Sequence, residues 1–235
     1  DARYWMPCND LSYDKAMSSI SVRVPKPFSV ASNGLLQDVI DREDGTQVYH
    51  WKSFSPMATY LMQATASIFT EYQEWYHRVS NPSDSIPVQY FIWQADYNET
   101  KTDRSSYNAR NAFRNTVRMM EAFSSLYTEY PFEKYGMVHV QPFDFGGMEH
   151  QTMTTVHRNW LRTADQPGIA HELMHQWTGD LVTCASFKDI WLNEGGATFG
   201  EALGAEAECG ADAYTDVMLN KRFLYLVYPS NDIPA

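Results

Sequence analysis

The chain lacks the features that mark several classes of protein. It has no apolar run of the roughly 18–20 residues that a membrane helix needs, so no membrane span is expected. Lysine and arginine number 18 against 29 acidic residues, and the net charge of −11 argues against nucleic-acid binding. Cysteine is scarce: Cys8, Cys184 and Cys209 are far apart and form no CxxC pair, which favours buried free thiols over metal ligands or disulfides.

The composition nevertheless supports a folded core. Hydrophobic residues make up 44% and aromatic residues 14% of the 235 positions, enough for one large or two modest domains. The acidity is spread along the chain and indicates solubility. The chain begins with Asp1 and shows no signal peptide, but a targeting segment would lie upstream, so its absence says nothing about location. We expect an extracytoplasmic location, periplasmic or secreted, ahead of a cytoplasmic one.

The first part of the chain has the pattern of β structure. Residues 19–24 alternate in polarity, and Pro25 ends that run. Further strands are predicted at 47–51, 60–62 and 88–93. These short runs bounded by turn signals predict a β-rich domain over residues 1–95.

The character of the sequence changes near Ala95. Apolar residues from Tyr107 to Tyr130 have helical spacing, and residues 136–140 form a predicted strand. Three more helices are predicted, from Pro167 to Gly179, from Lys188 to Glu208 and from Asp212 to Tyr228. The fold class is therefore predicted as α+β, with an α/β domain over residues 96–235.

The most informative segment is HELMH at residues 171–175, followed by Glu194 after eighteen intervening residues. Histidines four apart on a helix share one face. A catalytic zinc takes three protein ligands and keeps one position open for water. His171, His175 and Glu194 would supply these ligands. Glu172 could then act as the general base toward the water. The alternative is an amphipathic helix with two surface histidines.

Four segments together resemble one family, the zinc aminopeptidases of the aminopeptidase N and leukotriene hydrolase type, which are gluzincin metallopeptidases. They are HELMHQW at 171–177, WLNEG at 191–195, GGMEH at 146–150 and ARYWMPC at 2–8. Residues 146–154 look most like bacterial members. The resemblance implies a saddle-like β-rich N-terminal domain and a thermolysin-like catalytic domain. It also implies one Zn²⁺ per chain and hydrolysis of the first peptide bond of peptides with a free N-terminus.

The resemblance also implies roles for residues around the zinc. It assigns substrate binding to Gly146, Gly147, Met148 and Glu149. The Glu149 carboxylate would hold the substrate ammonium by charge-assisted hydrogen bonds, and the glycines would leave a backbone edge open to an extended peptide. Glu201 lies two helical turns beyond Glu194 and would accept the second ring N–H of a zinc-bound histidine.

The chain departs from the family pattern in several places. Small residues replace large aromatics at Thr178, Gly196 and Gly204, and Gly195 and Gly200 add to the glycines of the same predicted helix. Such changes predict lost packing and a weaker helix. The family tyrosine that stabilises the oxyanion would lie beyond Ala235, and Tyr225 and Tyr228 are too near Glu194 to replace it. We therefore expect a chain truncated at both ends, with reduced stability and activity.

Other functions stay open at this point. The same zinc chemistry would suit an endopeptidase or an epoxide hydrolase, although Glu149 argues against the endopeptidase. A non-catalytic peptide-binding module could use the edge at Gly146. His150 replaces the usual asparagine of the motif and either contacts substrate or is structural. Asp180 and Asn193 are predicted as helix caps and local hydrogen-bonding groups.

Overall fold

The computed structural model describes residues 2–97, 106–164 and 166–227. Its strands are β1 (Ser19–Pro25), β2 (Ser29–Ser32), β3 (Leu35–Asp41), β4 (Thr46–Lys52), β5 (Ala64–Ser67), β6 (Thr70–His77), β7 (Ser85–Ile92), β8 (Tyr135–Val140), β9 (Gly147–Met148) and β10 (Thr154–His157). Its helices are α1 (Ala109–Ala112), α2 (Thr116–Leu126), α3 (Asn159–Thr163), α4 (Gln166–Met174), α5 (Trp191–Cys209) and α6 (Ala211–Val227). The predicted α+β class, with strands first and helices later, is confirmed.

The N-terminal strands form two small antiparallel sheets. One has the order β1–β4–β3, and in the other β2 pairs with β5. The period-two pattern of β1 places Val24 in a buried apolar cluster that also contains Trp51 of β4. Phe91 and Val138, from strands outside these two sheets, belong to the same cluster. The hydrophobic effect therefore holds the N-terminal sheets against the rest of the chain.

The larger sheet has five strands in the order β6–β7–β8–β10–β9. Both pairs that include β8 are parallel, and the two outer pairs are antiparallel. This sheet crosses residue 95, because β6 and β7 precede that position and β7 pairs with β8. The pairing favours assigning residues 70–92 to the second domain, while the boundary at residue 95 stays a prediction. The short strand β9 lies at the edge of the sheet.

The helices cover one face of this sheet and share its main core. Met119, Met120 and Phe123 of α2 are buried there, as their helical spacing predicts. Trp177 packs edge-on against Phe123, with the ring centroids 5.9 Å apart, and donates its indole N–H to Thr128 O. Helix α4 packs against both α2 and α5, which also contact each other. One face of α4 belongs to the core, and the histidines face the cleft.

Several predicted elements differ in the structure. Residues 60–62 are not a strand, because Thr59–Leu61 forms a 3₁₀ turn; a short apolar run does not distinguish the two. The predicted helix over 107–130 is divided into α1 and α2. The division lies at Thr116, because its N–H and its hydroxyl both donate hydrogen bonds to Phe113 O. The helix predicted to reach Gly179 ends at Met174. Tyr228 lies outside the described residues.

Three of the four glycines of α5 are places of close helix contact, and Gly195 faces open space. An added Cβ would lie 2.5 Å from Thr178 at Gly196, 2.5 Å from Met174 at Gly200 and 2.6 Å from Ala170 at Gly204. The predicted loss of packing at Gly196 and Gly204 was therefore wrong, because α4 and its following turn fill the space that larger side chains would occupy. The weaker helix propensity of glycine remains as a local cost.

Two of the three cysteines depart from the expectation of buried thiols. All three are free, but only Cys184 is buried; Cys8 is half-buried and Cys209 is exposed. Cys209 is the last residue of α5, where no neighbouring element covers it in the described part of the chain.

Among the described helices, none combines the length and the apolarity required to cross a membrane.

Candidate active site and metal centre

Helix α4 positions the two histidines. Pro167 lies in its first turn, where a missing N–H costs nothing. His171 is on the helix and His175 directly follows it, with the His175 N–H donating to His171 O at 3.2 Å. This bond continues the helical turn, so both imidazoles project from one face, with ring centroids 4.8 Å apart. Ile169 and Leu173 anchor the opposite face in the core.

The third donor comes from α5. Glu194 Oε2 lies 3.3 Å from His171 Nε2 and 3.7 Å from His175 Nε2. Donor atoms around a tetrahedral zinc, bound at its usual distances, are separated by about 3.3–3.6 Å. Two imidazole nitrogens and one carboxylate also form the donor set that a catalytic zinc prefers. The three residues therefore fit such an ion in both spacing and chemistry.

Further contacts orient the two imidazoles. His171 Nδ1 donates to Glu201 Oε1 at 3.1 Å, and His175 Nδ1 donates to the carbonyl of Thr178 at 3.1 Å. Each bond leaves the corresponding Nε2 as the atom that faces Glu194. The other oxygen of Glu201 accepts from Lys221 Nζ of α6 at 2.6 Å. Glu201 thus lies where the resemblance implies, and Lys221 is a partner that sequence reasoning missed.

The donors are electrostatically coupled. Hydrogen bonds from His171 and His175 hold the pKa of Glu194 well below its usual range. Burial lowers the pKa of His171, but the hydrogen bonds with Glu194 and Glu201 outweigh it and raise that pKa to about 9. In the metal-free protein His171 is therefore protonated at neutral pH, and a metal ion must displace this proton.

Glu172 is buried beside the donors without binding to them. Its side chain lies against the backbone of β9, since a Cβ at Gly147 would collide with the Glu172 carboxylate. Oε2 of Glu172 has no hydrogen-bond partner among the described residues. Burial, with a smaller contribution from Glu149, raises the pKa of Glu172 to about 8. An unpartnered carboxyl group next to a metal site is suited to exchange protons.

Glu149 lies on the same side of the site as His175. One carboxylate oxygen of Glu149, one of Glu172 and a ring nitrogen of His175 all lie within 4.8 Å of one another. The Glu149 side chain is 7% exposed, and it follows β9 directly in the chain. The structure thus brings the carboxylate of the GGMEH segment to the edge of the metal site, within 4.8 Å of a ring nitrogen of His175.

Gln176 ties this loop to the histidine segment. Its side-chain oxygen accepts from the Thr152 N–H at 2.9 Å, and its nitrogen donates to the carbonyl of Glu149 at 3.2 Å. The position of β9 is also held by its pairing with β10. Sequence reasoning did not single out Gln176, although its place in the HELMHQW segment was the available signal.

The candidate zinc ligands, Glu172 and Glu149 border one cleft of about 560 Å³. It is lined by Tyr60, Phe145, Gly146, Gly147, Met148, Glu149, Trp160, Gly168, His171, Glu172, His175, Phe187, Ile190, Glu194 and Glu201. All of the predicted site residues are in this set. Tyr60, Phe145, Trp160 and Phe187 were not predicted, because nothing in their local sequence separates them from core or surface aromatics.

Asn193 forms local hydrogen bonds but does not cap a helix, Asp180 is a buried carboxyl group, and His150 takes one of the two roles left open for it. Asn193 is buried within α5 rather than capping it; it donates to Tyr60 Oη at 3.2 Å and accepts from the Cys184 N–H. Asp180 is also buried, and burial raises the pKa of its carboxyl group well above the usual range. His150 Nδ1 lies 3.0 Å from Thr155 Oγ1 and does not line the described cleft, which favours its structural interpretation.

Two protein-family models match the chain, and together they include the residues of the candidate site. The Peptidase family M1 domain matches residues 111–229, just over half of the chain, and the Peptidase M1 N-terminal domain matches residues 1–61. The chain belongs to peptidase family M1. The first match contains the three candidate ligands, Glu172 and Glu149, and the second contains Tyr60.

The sequence similarity to individual relatives covers only part of the length of each relative. Aminopeptidase N of Bos taurus is 32% identical over 221 residues, which are 88% of this chain and 22% of the relative. A probable aminopeptidase 1 of Saccharolobus solfataricus is 30% identical over 84% of this chain and 25% of its own. An M1 zinc metallopeptidase of Deinococcus radiodurans, solved as a mutant with a Tyr-Ser-Ala substrate, is 25% identical with a TM-score of 0.75 and covers 97% of this chain. This chain spans 48% of that structure.

Proposed function

We propose that this M1 chain carries the zinc centre and the N-terminus-binding site of a metallo-aminopeptidase. The observation that carries the proposal is the convergence of Glu149, Glu172 and His175 at one end of the metal site. A carboxylate at that place limits productive binding to substrates whose first residue bears a free ammonium group. The names of the relatives, several of them aminopeptidases, support the same reading. An extracytoplasmic location stays a prediction.

His171, His175 and Glu194 would hold the zinc. Bound there, zinc would polarise the scissile carbonyl and lower the pKa of a water molecule. The charge of a bound zinc would lower the pKa of Glu172, so that its carboxylate could take the proton from the attacking water and deliver it to the leaving amine. Glu172 is assigned this role because it is the unpartnered carboxyl group that lies beside the donors. The Glu201 contact holds the His171 ring in place.

Glu149 distinguishes this function from an endopeptidase. An ammonium group held by the carboxylate of Glu149 places the first peptide bond beside Glu172 and leaves no room for a preceding residue. The edge strand β9 offers backbone groups to an extended substrate on the side opposite β10. An endopeptidase would need an open path at the Glu149 end, where the buried side chain of Glu149 lines the cleft.

Glu149→Gln should raise KM for free-amine peptides and lower kcat/KM by about 10–100-fold, since a hydrogen bond to a charged group contributes roughly 1.5–3 kcal/mol. The measurement compares Ala-Ala-amide with its N-acetylated form on the zinc-loaded protein. The wild-type chain should cleave only the free amine. Equal cleavage of both peptides by the wild-type chain, or an unchanged KM in the Glu149→Gln variant, would contradict the aminopeptidase assignment. Glu206→Gln, an exposed glutamate of α5 outside the cleft, is the matched control.

Zinc affinity should depend on pH through His171. Because the pKa of its imidazole is raised to about 9 in the metal-free protein, zinc must displace a proton at any pH below that value. The apparent affinity should fall by about tenfold for each pH unit from 9 down to 7. Chelator competition at pH 7, 8 and 9 measures the slope. A flat profile between pH 7 and 9 would show that the pKa of His171 is not raised in the metal-free protein.

A further inference from the structure

One end of the cleft has no role in the chemistry described so far. Phe145, Gly146, Trp160 and Gly168 line it, and they contribute no charged side chain there. The Trp160 ring lies between the two glycines: an added Cβ would be 2.6 Å from Trp160 Cζ2 at Gly146 and 2.8 Å from Cη2 at Gly168. The indole therefore contacts both the loop before β9 and the first turn of α4.

Trp160 is firmly held in this position. It belongs to α3, where the neighbouring Leu161 is 1% exposed in the main core. Arg158, two residues earlier, donates to both carboxylate oxygens of Asp96 at 2.7 and 2.8 Å. Such a bidentate contact fixes the start of the helix. Phe145, by contrast, is 68% exposed, and its ring packs only edge-on against Phe143 among the described aromatic side chains.

The geometry sets the direction of a bound peptide. Along α4, Gly168 lies one turn before His171, and His175 lies one turn after it. Glu149 lies beside His175, whereas Trp160 lies over Gly168. A peptide with its ammonium group at Glu149 therefore runs along β9 toward Gly146. An extended chain advances about 3.3 Å per residue, so its second residue reaches the aromatic end.

We propose that Trp160 and Phe145 form a binding subsite for the side chain of the second substrate residue, and that this subsite favours an apolar or aromatic side chain. The proposal rests on the aminopeptidase function, because Glu149 sets the position of the first residue. Trp160 supplies a rigid apolar wall, and exposed Phe145 covers the side chain that lies against it. Neither residue takes part in zinc binding or proton transfer.

The test measures equilibrium binding of two peptides, Ala-Phe-amide and Ala-Gly-amide, by calorimetry. The protein is the zinc-loaded chain with Glu172→Gln, which prevents hydrolysis during the titration. We expect about tenfold tighter binding of Ala-Phe-amide, from burial of its aromatic ring. Phe145→Ala and Trp160→Leu should each reduce this ratio to about threefold or less. Phe54→Ala removes a half-exposed aromatic outside the cleft and should leave the ratio unchanged.

The N-acetylated forms of both peptides separate the two proposals. A ratio near one with a free amine still required would overturn the subsite and leave the aminopeptidase function standing. A preference for phenylalanine without a need for the free amine would overturn the function and keep the aromatic pocket. A ratio that survives both Phe145→Ala and Trp160→Leu would also overturn the subsite, and so would failure of Ala-Phe-amide to bind. Because Phe145 is exposed, its variant remains informative if Trp160→Leu fails to fold.

Discussion

Replacing Glu172 with glutamine should lower kcat/KM for a free-amine peptide by about 10²–10⁴-fold while about one zinc per chain is retained. Glutamine has the size of glutamate, which matters because the side chain is buried against the backbone of Gly147. The amide cannot accept the proton of the attacking water. Glu172 is not one of the three donors that converge, so the metal should remain. Initial rates and metal analysis on the same sample measure both effects.

The control for this variant is Glu206→Gln. Glu206 is an exposed residue of α5 and does not line the cleft, so its change should leave both rate and zinc content as in the wild type. Retained activity in Glu172→Gln would assign proton transfer to another group. Loss of zinc together with activity would instead make Glu172 part of the metal centre.

Replacing His175 with alanine should abolish zinc binding. His175 is 1% exposed, and its Nε2 faces Glu194 at the point where the donors meet. Removal of one of three protein ligands leaves two, too few for a tetrahedral catalytic site. The loss should exceed the roughly 10–100-fold reduction in affinity that follows removal of an orienting partner. Metal analysis of purified, folded protein should change from about one zinc per chain to none.

Two further variants serve as comparisons for the zinc content of His175→Ala. Glu201→Ala removes the partner of His171 Nδ1 and should weaken zinc binding by about 10–100-fold without abolishing it. His77→Ala, at an exposed histidine far from the cleft, should have no effect. Circular dichroism and thermal melting must show that each variant is folded. Zinc retained by folded His175→Ala would exclude this histidine as a ligand.

Much of the metal centre was predictable from sequence because its spacing is local. Two histidines four residues apart face the same way on any α-helix, and Glu201 lies two turns beyond Glu194 on the next one. The step from one helix to the other does not follow from helical periodicity. It was predicted from the position of Glu194 eighteen residues after the HELMH motif, and the structure places Glu194 within 3.7 Å of both imidazoles.

Local sequence patterns did not predict which aromatic residues line the cleft. Tyr60 comes from the N-terminal part of the chain and meets Asn193 across 133 positions. Trp160 reaches the site on α3, whose start is fixed by the contact of Arg158 with Asp96, 62 positions away in sequence. Such contacts depend on how sheets and helices pack, and a lone aromatic in a sequence does not show which surface it will cover.

The sequence by itself determined the order of strands and helices, the donor residues and the acidic character of the chain, because periodicity and residue chemistry act locally. Only the tertiary structure decided that β6 and β7 join the five-stranded sheet and that Gly200 and Gly204 let α4 approach α5 closely. It also decided that Gln176 joins the GGMEH loop to the histidine segment. Each of these depends on contacts between residues distant in the chain, whose geometry is set by close packing of the whole core.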